Sequence, residues 1–212
     1  CNKFGIKNPL IVTDKGSTEL YFIKELKDLL LKANIKSDLF FEISPNPRED
    51  EVSAGCKKYK SGNHDAIIAI GGGSAMDGGK LICLTANNDI PLRDFEFELT
   101  PPKISKDNPF PKIITIPTTA GTGAETEITA MVTYLEEGMK FCMWHPDARP
   151  VLALVDPELT LKLPASLTAW TGVDALVHAI EGYCVPGFHP LCDGSAIESL
   201  SLISKSLYQA VE

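Results

Sequence analysis

No run of about 18 apolar residues occurs in the chain, so no membrane-spanning helix is expected. Basic residues are in the minority: 20 Lys and Arg stand against 28 Asp and Glu, for a formal net charge of −8. That excludes a general nucleic-acid surface and an anionic-membrane surface, since both need clustered Lys and Arg. The six cysteines (Cys1, Cys56, Cys83, Cys142, Cys184, Cys192) form no CxxC pair and no disulfide-scaffold spacing. Reduced thiols in a cytoplasmic protein are the expectation. Cys1-Asn2-Lys3-Phe4-Gly5 has neither the basic nor the apolar region of a signal peptide. No internal repeat, low-complexity tract, GxGxxG fingerprint or GxxxxGK[ST] loop is present. What remains is an ordinary globular composition, 44% hydrophobic and 23% charged over 212 residues. That length allows one large domain or two small ones.

Short apolar runs alternate with helical patterns. Residues 9–13 and 36–43 are expected strands, the second ending at Ser44-Pro45-Asn46-Pro47. Residues 17–33 and 48–61 have helical spacing, with Leu20, Ile23, Leu26 and Leu30 on the first helix. Residues 66–70 are fully apolar, and 113–116 and 151–155 are expected as further strands buried on both faces. The alternation predicts right-handed βαβ units and a parallel sheet. Residues 88–111, rich in Pro and charge, are expected as a long surface loop. Residues 127–134 and 139–144 are expected as a hairpin turning at Leu135-Glu136-Glu137-Gly138. From Ala165 onward every segment is helical in pattern, broken near Pro186-Gly187. The predicted organisation is therefore an α/β, parallel-sheet dinucleotide-binding domain over residues 1–160, then the first helices of an all-helical domain over 161–212.

Gly71-Gly72-Gly73-Ser74 joins an apolar strand to a helix. Glycines let a backbone approach a phosphate, and the helix start offers free N–H groups and the positive end of its dipole. Ser74 is placed either to donate to a phosphate oxygen or to cap the helix. A second small-residue loop, Pro117-Thr118-Thr119-Ala120-Gly121-Thr122-Gly123, also follows a strand. Two such loops together favour a dinucleotide site. Asp14 follows the first strand, where a carboxylate suits two ribose hydroxyls and repels a 2′-phosphate. A turn or helix-capping role before Ser17 serves it equally well on local grounds.

Asp174 and His178 lie four apart in a helical stretch, hence on one face. A carboxylate and an imidazole so placed can share a divalent metal, or form a plain hydrogen-bonded pair. Apolar Val173, Leu176, Val177 and Ile180 predict a well-buried helix. Catalytic metals usually take three or more protein ligands. His64, at the N-terminal end of its strand, His145, expected near the surface, and His189, in a turn, supply no convincing third.

Gly71-Gly72-Gly73-Ser74-x-x-Asp77, Pro117-Thr118-Thr119-Ala120-Gly121-Thr122-Gly123-Ala124-Glu125 and Thr171-Gly172-Val173-Asp174-Ala175-Leu176-Val177-His178-Ala179-Ile180-Glu181 occur in that order. Together they resemble the iron-containing (group III) alcohol dehydrogenases, over essentially the whole chain. Glycerol dehydrogenases and dehydroquinate synthases are less similar, since their glycine loop typically carries Lys where Ser74 stands. The resemblance implies an N-terminal domain that binds NAD and a helical C-terminal domain that holds the metal. It places Asp14 on the adenosine ribose and Asn46 near the adenosine half. Gly72, Gly73 and Ser74 fall on the pyrophosphate, with Asp77 close by. Thr118, Thr119, Thr122 and Lys140 complete the cofactor site, and Asp174 and His178 are the first two metal ligands. Two more histidine ligands lie further downstream in such enzymes, so the resemblance also implies an internal piece of a longer enzyme or a truncated product.

The implied chemistry is reversible hydride transfer between a small alcohol or aldehyde and NAD. A divalent metal, Fe(II) by resemblance with Zn(II) also suited to the donors, acts as Lewis acid. No side chain stands out as a general base. The resemblance also implies a homo-oligomer. Two other readings stay open: a dinucleotide-binding fragment without catalysis because its metal site is incomplete, and a nucleotide-binding transferase on a similar sheet.

Overall fold

The computed structural model describes residues 1–212. Its alternating elements run in the order the hydrophobic pattern implies. β1 (Pro9–Asp14) leads through a 3-10 turn (Lys15–Ser17) into α1 (Tyr21–Lys32), and β2 (Asp38–Ile43) into α2 (Glu49–Ser61). β3 (Ala66–Gly71) leads into α3 (Gly73–Ala86), and β4 (Lys112–Pro117) precedes the hairpin β5 (Thr129–Tyr134) and β6 (Met139–Trp144). β7 (Leu152–Ala153), α4 (Ala165–Cys184) and α5 (Pro190–Val211) complete the chain. No helix is long and apolar enough to cross a membrane. Contacts divide the chain into two compact units, Cys1–Pro117 with Ala124–Val155, and Thr118–Gly123 with Asp156–Glu212.

In the first unit β1, β2, β3, β4 and β7 form one parallel sheet in the order β2-β1-β3-β4-β7. All six residues of β3 are buried, as expected of a central strand whose two neighbours and two faces are covered. α3 is buried almost all round, and its Gly78-Gly79 pair explains how closely it lies on the sheet. A Cβ on Gly78 would stand 2.7 Å from Ile43 of β2, and one on Gly79 would stand 2.6 Å from the Ala69 side chain of β3. Bulkier residues there would lift the helix from the strands.

Four expectations are corrected within this unit. The segment 88–111 is not simply a surface loop. Phe95 is fully buried, and Ile90, Leu92, Ile104 and Phe110 pack against the same core. Its apolar residues have no regular period, so pattern-reading passes over them. The last strand is not buried: Val155 is 66% exposed and only Leu152 and Ala153 pair, on one side, with β4. An apolar run at a sheet edge gains only one neighbour. His145 lies in the core rather than near the surface, its Nε2 within 2.9 Å of the Pro102 carbonyl and its ring edge-on to Phe110. The helix expected over 17–33 starts only at Tyr21, because Asp14 and Ser17 close a separate 3-10 turn first.

In the second unit α4 and α5 pack as a helical hairpin across a five-residue connection. α4 is not well buried. Ala179 is its one buried residue, while Val173, Val177 and Ile180 are 44–49% exposed. Two helices packed mainly on each other cover only one stripe of each.

Candidate cofactor and metal sites

In a parallel sheet, ligands collect beyond the carboxyl ends of the strands where the order of connections reverses. Here the order β2-β1-β3-β4 reverses between β1 and β3. β1 ends at Asp14 and β3 at Gly71, so those two residues flank the crevice. Gly71 has φ +145, a conformation that L side chains rarely adopt. A Cβ on it would lie 2.7 Å from the Ala75 Cβ and 3.3 Å from Asp14 Oδ2. The backbone at this point is therefore bare, with a carboxylate beside it. Asp14 caps the turn that follows it: Oδ1 accepts from the Ser17 backbone N–H (3.0 Å) and Oδ2 from the Ser17 hydroxyl (2.7 Å). Each carboxylate oxygen can accept a second hydrogen bond, so capping leaves capacity for a ligand.

α3 starts at Gly73, and its N-cap, Gly72, has no side chain with which to satisfy the first-turn N–H groups. No acidic residue stands in that first turn. The helix start thus keeps its donors and its positive dipole end, the arrangement that binds phosphate. Ser74 makes no cap bond; its hydroxyl accepts from the backbone N–H of Asn46 at 3.4 Å. Asn46 is held in the left-handed region, φ 72. Its turn is fixed by Glu51, whose Oε2 accepts from the N–H groups of Ser44 and Arg48 and from the Ser44 hydroxyl. The structure thereby joins Asn46 to the glycine loop.

Asp77 faces inward, one turn along α3. Oδ2 accepts from the Met131 N–H at 3.2 Å, and Oδ1 lies 3.7 Å from Lys80 Nζ. Burial pushes its carboxyl up to about 6, against the opposing pull of the Lys80 charge. Lys140 is exposed on β6, opposite Thr133 of β5. A cleft of about 380 Å³ opens at the start of β5, lined by residues 126–129 and Arg149, and none of the candidate residues lines it.

Thr118, Thr119 and Thr122 belong to the second unit. Their loop packs on α4: a Cβ on Gly121 would lie 2.5 Å from the Thr171 carbonyl oxygen. On the same helix Asp174 Oδ1 and His178 Nε2 stand 3.5 Å apart, with side chains 44% and 56% exposed. Two donors bound to one tetrahedral metal at about 2.1 Å would stand about 3.4 Å apart. The pair therefore has the spacing of two ligands of a divalent ion. No group of three or more His, Cys, Asp or Glu in this chain could hold one, so the pair fits part of a coordination shell. His64 is hydrogen-bonded to the Asn8 carbonyl and His189 caps α5.

Residue patterns alone did not single out Lys80 or Glu51, and they named Gly71 only as part of the loop, without its strained φ of +145. Lys80 left one signal, the lone charge in α3 after Asp77, among glycine and mostly apolar residues.

A parallel sheet with an open glycine-loop helix at its reversal point defines an open, parallel-sheet α/β fold. The iron-containing alcohol dehydrogenase model matches residues 1–157, and the model of the C-terminal part of the Fe-containing alcohol dehydrogenase family matches residues 168–212. The chain belongs to the iron-containing alcohol dehydrogenase family. It is 38% identical to alcohol dehydrogenase 4 of Schizosaccharomyces pombe over 98% of this chain and 48% of that one. It is 36% identical to the NAD-dependent methanol dehydrogenase of Bacillus methanolicus over 99% of this chain and 54% of that one. Among solved structures it superposes on a 1,3-propanediol oxidoreductase with a TM-score of 0.93 and 34% identity, covering 100% of this chain and 54% of that one. The chain spans about half the length of the curated relatives it matches.

Proposed function

We propose that this chain is the cofactor-binding part, with the first metal ligands, of a cytoplasmic NAD-dependent alcohol dehydrogenase that interconverts a small alcohol and its aldehyde. The observation that carries the reading is the uncapped start of α3 beside Asp14 at the reversal point of the sheet. The first-turn N–H groups of α3, from Gly73 and Ser74 onward, hold the pyrophosphate. Asp14 accepts from the adenosine ribose hydroxyls and repels a 2′-phosphate, favouring NAD over NADP. Asn46 borders the adenosine half. Lys140 completes the cofactor contacts of this unit. Asp174 and His178 hold a divalent cation, Fe(II) or Zn(II), with the rest of its shell supplied from beyond these two side chains. When bound, the nicotinamide exchanges hydride and the cation lowers the pKa of the alcohol oxygen. The NAD-dependent character of the methanol dehydrogenase relative supports the cofactor assignment.

Titration of the chain with NADH and NADPH, followed by nucleotide fluorescence, tests the reading together with metal analysis of the purified protein. NADH is expected to bind at least about tenfold tighter than NADPH, and Asp174→Ala to abolish metal retention. No fluorescence change with NADH would favour a nucleotide-binding transferase. NADH binding with less than about 0.1 metal per chain would favour a binding fragment without catalysis.

A further inference from the structure

A two-stranded hairpin has two edges whose N–H and C=O groups need partners. In β5 the groups that point away from β6 belong to every second residue. Three of them, and the Leu135 N–H just past the strand, have partners outside any strand ladder of the main sheet. Lys80 Nζ donates to the Thr129 carbonyl at 2.8 Å, and the Met131 N–H donates to Asp77 at 3.2 Å. The Thr133 N–H donates to the Pro47 carbonyl at 2.7 Å, and the Leu135 N–H to the Glu49 carboxylate at 3.0 Å. Two of these four partners lie on the helix that begins with the glycine loop. The other two, Pro47 and Glu49, lie just after Asn46. The edge of β5 is therefore tied at four points to the two segments that the cofactor reading uses.

Lys80 is the unusual member. Its side chain is 1% exposed, a position where a lysine is costly unless its charge is paired. On the opposite side of the same turn, Gly78 and Gly79 rest α3 on β2 and β3. The sheet thus fixes the depth of α3, and Asp77 and Lys80 fix the hairpin against it. Lys140 rides on that hairpin, directly opposite Thr133.

We propose that Lys80, with Asp77, is a positioning pair that holds the β5–β6 hairpin in register with the start of α3, so that Lys140 and the Gly72–Ser74 backbone act on one ligand. This rests on the cofactor reading above. It gives Asp77 a role toward the protein rather than toward the dinucleotide.

The test combines Lys80→Met, which keeps the stem and removes the donor, with Lys140→Met and the double variant, using the full chain. If Lys80 acts through the placement of Lys140, each single variant weakens NADH binding about tenfold and the double is at most about threefold worse than either. A double variant near 100-fold, or Lys80→Met without effect, overturns the proposal. Amide exchange supplies a readout that needs no cofactor. In Lys80→Met, and more mildly in Asp77→Asn, exchange at Met131 and Thr133 is expected to quicken at least tenfold together with Met76 at the start of α3. Ile11 and Ile68 in the sheet should stay protected. Loosening of the hairpin alone overturns the coupling. Failure of the unsubstituted chain to bind NADH would instead sink the cofactor reading, with the exchange arm still deciding the role of the pair.

Discussion

α2 and α3 begin in opposite ways: the start of α2 is closed by its own side chains, and the start of α3 is left open. α2 opens with Glu49, Asp50 and Glu51, three carboxylates on the positive end of the dipole, and Glu51 reaches back to the Arg48 N–H. That is the usual way a helix satisfies its own first turn. α3 opens with Gly73 after a glycine N-cap, with no acidic residue and no side-chain cap. Both helices follow parallel strands and pack on the same sheet. The difference is that α3 leaves its first-turn donors without a side-chain cap, which is what the proposed cofactor role requires, whereas the carboxylates of α2 are spent on its own start and on the neighbouring Asn46 turn.

The largest expected effect comes from closing the bare backbone beside the open helix. Gly71→Ala meets both the φ of +145 and the Ala75 Cβ at 2.7 Å. It should destabilise the chain by about 2–5 kcal/mol, the sum of backbone strain and overpacking, as measured by urea denaturation. A change below about 1 kcal/mol would mean that the notch relaxes freely.

A pH titration sharpens the contrast between the two sets of carboxylates. Burial raises the folded-state pKa of Asp77 from 3.8 to about 6. The folded chain therefore retains a proton that the unfolded chain releases. The associated stability is fully present below pH 3.8 and is lost as pH rises through about 6, by up to about 3 kcal/mol for this group. Asp77→Asn should remove that slope between pH 4 and 6. The same slope in both proteins would assign it to other groups.

At α2, Glu51→Ala orphans the N–H groups of Ser44 and Arg48. It should cost about 1–3 kcal/mol, again by urea denaturation, and weaken NADH binding only a few-fold, through the Asn46 turn. A loss of affinity larger than that of Lys80→Met would place the critical support at α2 instead.

Much of this contrast was legible in the residues. The apolar run Ala66–Ile70 followed by three glycines and Ser74 specifies a strand, a bare turn and a helix start through local rules alone. The hairpin was legible from its alternation and its Glu-Glu-Gly turn. What escaped depends on long-range neighbours. Asn46 meets Ser74 across 28 residues of chain, and only the family resemblance pointed to Asn46. Lys80 finds Thr129 across 49 residues, a partner no helical pattern reveals. Phe95 and His145 enter the core from segments without periodicity, while β7 and α4 are apolar in pattern yet half exposed, because burial is set by how many neighbours an element has. Asp174 and His178 were legible as a pair on one helix face, and the 3.5 Å separation adds a metal-compatible spacing that sequence could not supply.

The central claim is that the start of α3 is kept open for a phosphate-bearing cofactor. Gly72→Asp tests it most directly, because it gives α3 the kind of acidic cap found at α2, and the φ of −76 at Gly72 suits an L residue. Stability and NADH affinity are measured on the same preparation. The account predicts opposite signs: stability unchanged or raised by up to about 1 kcal/mol, with NADH bound at least about tenfold more weakly. An unchanged NADH affinity in the stable, capped variant would contradict it.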